Sequence, residues 1–350
     1  MLLAELLLLT FLLFDYGKST EITFKNVNFQ GYRMFTPKFR PTILSGNNLK
    51  DYLPNKDFDT LEFVDQVIPV LYENSIADIE HLNELIIESS NVREIRPGAF
   101  KNLPHLNRIS LKVNKLERIE NGVFNNLQLH TLDLSHNQIT NVYPHAFDDM
   151  RHIYYINLAY NNISKWDPSW FKNTPELSIL FMKNNLIEEL PERSFQNLRI
   201  KNIKIRNLNL IFSNNKISKI HPKAFVDLKR INQLVLTNNL LEKFDKEILQ
   251  NVVVNDLRLN NNSIQCFEEN ALDTIFRGQS VYIEFNPFDC ECLKILQKWA
   301  KNNNNKYLGI NEIKCDDDDE EEPDVIEIEN VVWDNTLSVN RITLVLPRKN

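Results

Sequence analysis

Glycine is scarce, with seven in 350 residues, about 2% against a usual share of roughly 7%. Phosphate-cradling loops and dinucleotide fingerprints depend on glycines that let the backbone approach a ligand, so most cofactor-binding α/β enzymes are disfavoured. No GxSxG elbow, HExxH helix or P-loop is present, and no pair of carboxylates recurs in a convincing constellation. The chain has seven histidines, none near the cysteines in sequence, which argues against a zinc site. His130 and His136 flank one segment and are read as surface histidines rather than ligands or acid–base groups. No enzyme activity, metal or cofactor is expected.

Long apolar runs are also missing. The run from Leu6 to Phe14 falls short of the about 20 residues that span a bilayer, so no stable membrane insertion is expected. Its length suits the centre of a secretory signal peptide, with small Gly17 and Ser19 near a cleavage point. Residues 1–17 are therefore expected to be a signal peptide, although Glu5 stands where a basic residue is usual; the plainer alternative is a buried helix or strand. Only four cysteines occur, Cys266, Cys290, Cys292 and Cys315, all in the last quarter of the chain. In an exported protein such clustering reads as two disulfides stapling one end.

What the chain has instead is a period. Leu106, Ile109, Leu111, Asn114 and Leu116 return as Leu129, Leu132, Leu134, Asn137 and Ile139, then as Ile153, Ile156, Leu158, Asn161 and Ile163. The same columns continue at Leu177, Leu180, Met182, Asn185 and Ile187, at Ile231, Leu234, Leu236, Asn239 and Leu241, and at Val254, Leu257, Leu259, Asn262 and Ile264. Weaker copies extend both ways: Leu61 and Phe63 with Gln66 at the Asn place, Leu85 and Ile87 with Ser90, then Val281 and Ile283 with Asn286. Alternation within each LxL pair sends both side chains inward and their neighbours outward. The asparagine sits where the chain leaves the strand, and its amide can satisfy backbone groups that a buried turn would orphan. A second column, Phe100, Phe124, Phe147, Phe171, Phe195 and Phe225, fills the opposite side of the core.

One interval breaks the rule. After Leu177 the next good start is Asn207, with Leu210, Phe212, Asn215 and Ile217. A rival register through Ile200, Ile203 and Ile205 would put Leu208 at the asparagine site, so the later one is preferred. The inserted residues, with Arg199, Lys201, Lys204 and Arg206, then form a basic bulge.

The pattern LxxLxLxxNxL resembles the leucine-rich-repeat family over roughly residues 58–315. The resemblance implies an α/β solenoid: a curved horseshoe with parallel strands on its concave face and an irregular or short helical convex side. About ten repeats would occupy 58–288, behind an N-terminal cap at 18–57. Alternation at Ile22, Phe24, Val27 and Phe29 is compatible with a hairpin covering the first strand. Asn286-Pro287-Phe288-Asp289-Cys290-Glu291-Cys292, with Leu296, Trp299 and Cys315, resembles the cysteine-capped flanking unit of extracellular members, placing a C-terminal cap at 289–315. In that unit the first cysteine pairs with the third and the second with a fourth, which has no counterpart after Cys315. Cys290–Cys315 with Cys266–Cys292 is one solution, slightly favoured. Cys266–Cys290 with Cys292–Cys315 is the other, since Cys266 and Cys290 share a repeat position.

Residues 316–335 hold eleven acids and no base. An acidic, partly disordered tail at 316–350 is expected, with the alternatives that it folds over the basic bulge or recruits a basic partner; Val331, Trp333, Ile342 and Leu344 hint at some order.

Outward strand positions are normally polar, yet Phe181, Ile211 and Val235 interrupt their column, with Tyr155 and Ile179 beside it and Tyr154 and Tyr160 close by. Grouped apolar and aromatic residues there suggest a protein contact; the alternatives are cover by the 200–206 segment or scattered surface residues. Asn162 and Asn261 head glycosylation sequons. The resemblance to secreted invertebrate leucine-rich-repeat immune factors and Toll-like ectodomains implies a secreted, extracellular, non-catalytic recognition protein of innate immunity. It would take a protein ligand or receptor, or a microbial surface component, on its concave face, and no nucleic acid. A soluble adhesion or matrix protein, or a venom-like decoy that sequesters a ligand, is the alternative.

Overall fold

The computed structural model describes residues 22–32, 43–53, 58–198, 208–304 and 308, and the backbone of 325–333 and 337–345. Residues 1–17, the basic bulge (Arg199, Lys201, Lys204, Arg206) and Cys315 lie outside the described residues. The chain divides into two units, 1–311 and 312–350. In the second, Val325–Trp333 and Leu337–Val345 form an antiparallel hairpin.

The first unit is built around an eleven-stranded sheet. From Thr60–Val64 to Ser280–Tyr282 every neighbouring pair in it is parallel, and Gln30–Tyr32 adds antiparallel to the first of these strands. Registers follow the repeat. Ile109 stands beside Leu132, Leu132 beside Ile156, and Ile156 beside Leu180. Across the long interval Leu180 pairs with Leu210, so the later of the two registers is the one adopted. The strands return on the other side of the core through irregular chain, short helical segments such as Pro168–Trp170 and Lys246–Leu249, and short parallel pairs such as Arg118–Ile119 with Asn141–Val142. This is the parallel-strand solenoid that the repeat implied.

Two inward columns hold it together. The LxL side chains are fully buried, as at Leu132, Leu134, Ile156 and Leu158. Opposite them the phenylalanines stack at 5.9 Å for Phe100–Phe124, 6.4 Å for Phe124–Phe147 and 5.4 Å for Phe147–Phe171. Such ring pairs add about 0.5–1.5 kcal/mol each beyond area burial. Between Phe171 and Phe195, Trp166 fills the gap at 6.1 and 5.2 Å, its Nε1 donating to the Ser194 carbonyl at 2.9 Å.

The asparagine column closes the backbone account. Asn185 Oδ1 accepts from Ile163 N at 3.1 Å, and its Nδ2 donates to the carbonyls of Leu158 and Met182 at 2.8 and 3.1 Å. Asn161, Asn215, Asn239 and Asn262 repeat the arrangement one turn apart. Ser90 substitutes for it by donating to Glu88 O and accepting from Gln66 N. The residue just before each ladder position is left-handed, from Val113 (φ 57) and Tyr160 (φ 57) to Asn214 (φ 56) and Asn238 (φ 56).

Both ends of the stack are covered. Phe24 and Phe29 sandwich Phe63 at 5.7 and 5.3 Å, while Ile22, part of the same alternation, is exposed. At the other end the helix Cys290–Asn302 is capped by Asp289, which accepts from Cys292 N at 2.8 Å. It buries Leu293 and Leu296 and sets Trp299 against Phe276 at 5.4 Å. Gly278, one of the few glycines, has a steric reason: a Cβ there would lie 1.7 Å from the Val254 carbonyl oxygen.

Cys266 bonds Cys292, with Cα atoms 5.5 Å apart. The pairing of Cys266 with Cys290 is thereby overturned. Cys290 begins the helix and is exposed with a free thiol, while its expected partner Cys315 lies outside the described residues.

Candidate binding face

The outward face of the sheet is read column by column through the strand registers. Asp133, Asn157, Phe181, Ile211, Val235, Arg258 and Tyr282 follow one another across neighbouring strands. Beside them run Thr131, Tyr155, Ile179, Asn209, Gln233, Asp256 and Ser280. From Tyr155 to Val235 both columns are free of charge.

Tyr155 and Phe181 meet at 5.7 Å with rings tilted by 55°. Both are half-buried, as is Ile179. Burial, reinforced by the Asp133 carboxylate, pushes the Tyr155 phenol above its ordinary value. Tyr154 is 45% exposed and packs against His130 at 6.3 Å. His130 in turn stacks on His152 at 6.0 Å, whose Nδ1 lies 3.7 Å from Glu176.

The other candidates are placed differently. Ile211 and Val235 occupy outward positions but are each only 8% exposed, so they floor the face more than they present themselves. Tyr160 is 43% exposed, beyond the turn off its strand, and stacks on His136 at 4.2 Å and 10°. Asn162 is exposed, whereas Asn261 is half-buried in the left-handed conformation (φ 54).

Sequence reasoning missed His152 and the polar cluster around Asp133. Asp133 Oδ1 accepts from Ser135 N at 2.9 Å, and Asn157 Nδ2 donates to its Oδ2 at 3.3 Å. The signal was available in the columns: Asp133 and Asn157 occupy the same repeat position one turn apart. Among the described residues no group of three or more His, Cys, Asp or Glu is placed to hold a metal. No described helix is long and apolar enough to cross a membrane.

The Leucine rich repeat family model matches residues 80–139, 125–163 and 151–211. A BspA type Leucine rich repeat region model, of six copies, matches 188–304. No curated protein matches the chain. Among solved structures, the mouse RP105/MD-1 complex is similar at a TM-score of 0.58 and 22% identity, over 72% of this chain and 43% of that one. The Drosophila Toll–Spatzle complex is similar at 0.54 and 18% identity, over 66% and 32%. At these identities the likeness is one of fold, and this chain spans less than half of each. Repeat columns, asparagine ladder, parallel sheet and family matches agree: the chain is a member of the leucine-rich-repeat family that resembles Toll-like ectodomains.

Proposed function

We propose that the chain is a non-catalytic recognition protein that binds a protein ligand on the outward face of its sheet, in the extracellular space and in the service of innate immunity. The observation that carries this reading is the uncharged stretch of that face between Tyr155 and Val235, centred on the Tyr155–Phe181 ring pair. Binding centres are depleted of charge and enriched in aromatic side chains, which bury area at low entropic cost. The similar solved structures are complexes with Spatzle and with MD-1, which supports a ligand that is itself a protein. The Cys266–Cys292 bond, the sequons at Asn162 and Asn261 and the apolar run from Leu6 to Phe14 support an exported chain.

The test is capture of the ligand from body fluid by the tagged full chain, with partners identified by mass spectrometry. Phe181→Asp and Tyr155→Ala should each reduce capture about a hundredfold, equivalent to roughly 2.7 kcal/mol, while leaving thermal melting unchanged. Undiminished capture by both variants would refute the docking centre.

A further inference from the structure

Asp133 poses a problem for any ligand that docks on this face. It stands at the border of the uncharged stretch, one strand from Tyr155 and two from Phe181. It is half-buried, and its polar partners are both neutral: Ser135 N at 2.9 Å and Asn157 Nδ2 at 3.3 Å. No ion pair reaches it among the described residues. The cation of the preceding strand, Arg108, is instead engaged by Glu84 at 3.1 Å.

While the face is wet, water satisfies the open side of that carboxylate. A protein surface seated on Tyr155 and Phe181 strips that water away. A carboxylate left buried and unpaired costs far more than such a contact can return. The ligand must therefore bring a cation to the same spot. Two features of the site choose between the cations that proteins carry. Tyr155 and Phe181 hold their rings, tilted at 55° to each other, on the next two strands, and a flat, weakly hydrated guanidinium stacks on rings where an ammonium keeps its water. The neutral donors on Asp133 leave further lone pairs of the carboxylate open, which suits a forked donor.

We propose that Asp133, with the rings of Tyr155 and Phe181 on the next two strands, is the seat for an arginine side chain of the protein ligand. The inference rests on the docking reading above and adds the chemistry the ligand must present at its centre. Like Glu62 and Glu88 of the earlier strands this carboxylate is held by neutral donors, and it is the one that borders the uncharged stretch.

N-acetyl-arginine amide, titrated into the full chain, is the probe. Aromatic NMR signals of Tyr155 and Phe181 should shift and saturate in the millimolar range. The lysine amide should bind more weakly by about fivefold or more, and the neutral citrulline amide should leave the signals unmoved. Asp133→Asn keeps an acceptor for Ser135 N and should fold as the parent does, yet lose the arginine response. An equal response in Asp133→Asn, or equal responses to arginine and citrulline amides, would overturn the proposal. With the captured ligand the two readings separate. Loss of capture in Phe181→Asp but full capture in Asp133→Asn sinks the arginine seat alone. Full capture in Phe181→Asp sinks the docking centre itself.

Discussion

The outward face of the sheet falls into two blocks that share one backbone and differ in almost every side chain. Strands Thr60–Val64, Glu84–Glu88, Arg108–Ser110 and Thr131–Asp133 present Glu62, Glu84, Glu88, Arg108 and Asp133. The next four present Tyr155, Asn157, Ile179, Phe181, Asn209, Ile211, Gln233 and Val235. Charges of the first block are mostly spent on their neighbours. Tyr32 donates to Glu62 at 2.6 Å, Arg108 pairs with Glu84, and Ser110 donates to Glu88. Inward residues fix the scaffold in both blocks, so the outward columns are free to vary. Ile211 and Val235 of the second block also serve the core, whereas the half-exposed rings of Tyr155 and Phe181 are what the proposed contact would use.

The ladder runs through both blocks, with Asn114 and Asn137 in the first and Asn185 in the second, and Ser90 is its exception. Asn185→Ala leaves Ile163 N and the Leu158 and Met182 carbonyls without their buried partner. It should cost about 4 kcal/mol, from roughly 1–3 kcal/mol for each orphaned group. Ser90→Ala, in the first block, should cost about half of that, because one hydroxyl proton is shared between the Phe63 and Glu88 carbonyls while its oxygen accepts from Gln66 N. Hydrogen exchange reads the turns separately: protection should fall around Ile163 and Leu186 in the first variant, and around Gln66 in the second. Equal losses would mean that serine serves the ladder as well as asparagine does.

Most of this scaffold was legible in the sequence because its columns are enforced by burial. The run Ser213-Asn214-Asn215 chose the right register across the long interval, since only one register put an amide at the buried turn. Depth was harder to read. Alternation gives the direction of Ile211 and Val235 but not their 8% exposure, which depends on how neighbouring strands crowd them. The cysteines were legible in part: Cys266–Cys292 belonged to the favoured of two pairings, and the alternative stayed open on repeat position alone. Cys266 and Cys290 share a repeat position, but the chain has already turned into a helix at Cys290, and only Cys292 faces back towards Cys266. Trp166 was missed because it stands outside the phenylalanine column and fills a gap that only the packed turns create.

A smaller contrast lies in the left-handed row beside the ladder. Val113 in the first block and Asn214 in the second hold nearly the same φ, 57° and 56°. A β-branched residue is strained there, whereas asparagine tolerates it. Val113→Asn should therefore raise stability by about 1 kcal/mol, and Asn214→Val should lower it by about as much. Asn214 also bridges Asn184 and Asn238, both at 2.7 Å, so the loss at Asn214 should slightly exceed the gain at Val113. Chemical unfolding of the pair, side by side, checks the signs.

Beyond the second block charge returns, and one group there is poorly served. Glu284 is half-buried beside Arg258, its Oε2 has no hydrogen-bond partner, and burial raises its pKa. The folded chain therefore holds this proton to higher pH than the unfolded chain does. Its contribution to stability is full below the unfolded pKa and is lost as pH rises through the folded one. Glu284→Gln should raise the melting temperature slightly at pH 7 and leave it unchanged near about pH 4. A gain of the same size at both pH values would show that burial of the charge is not the cause.

The smallest effect is expected where the first block looks most elaborate. Arg108 and Glu84 form an ion pair across neighbouring strands at 3.1 Å, but the arginine side chain is 51% exposed. Water screens such a pair, and holding two long side chains together costs entropy, so exposed bridges contribute about 0.2–1 kcal/mol. Arg108→Ala should lower stability by no more than about 0.5 kcal/mol, and less in high salt because the remaining attraction is screened. Ligand capture should stay within the scatter of the parent chain. If Arg108→Ala instead abolished capture as Phe181→Asp is expected to, the division of the face would be wrong: the paired charges of the early strands would belong to the contact, and the ligand would extend across both blocks.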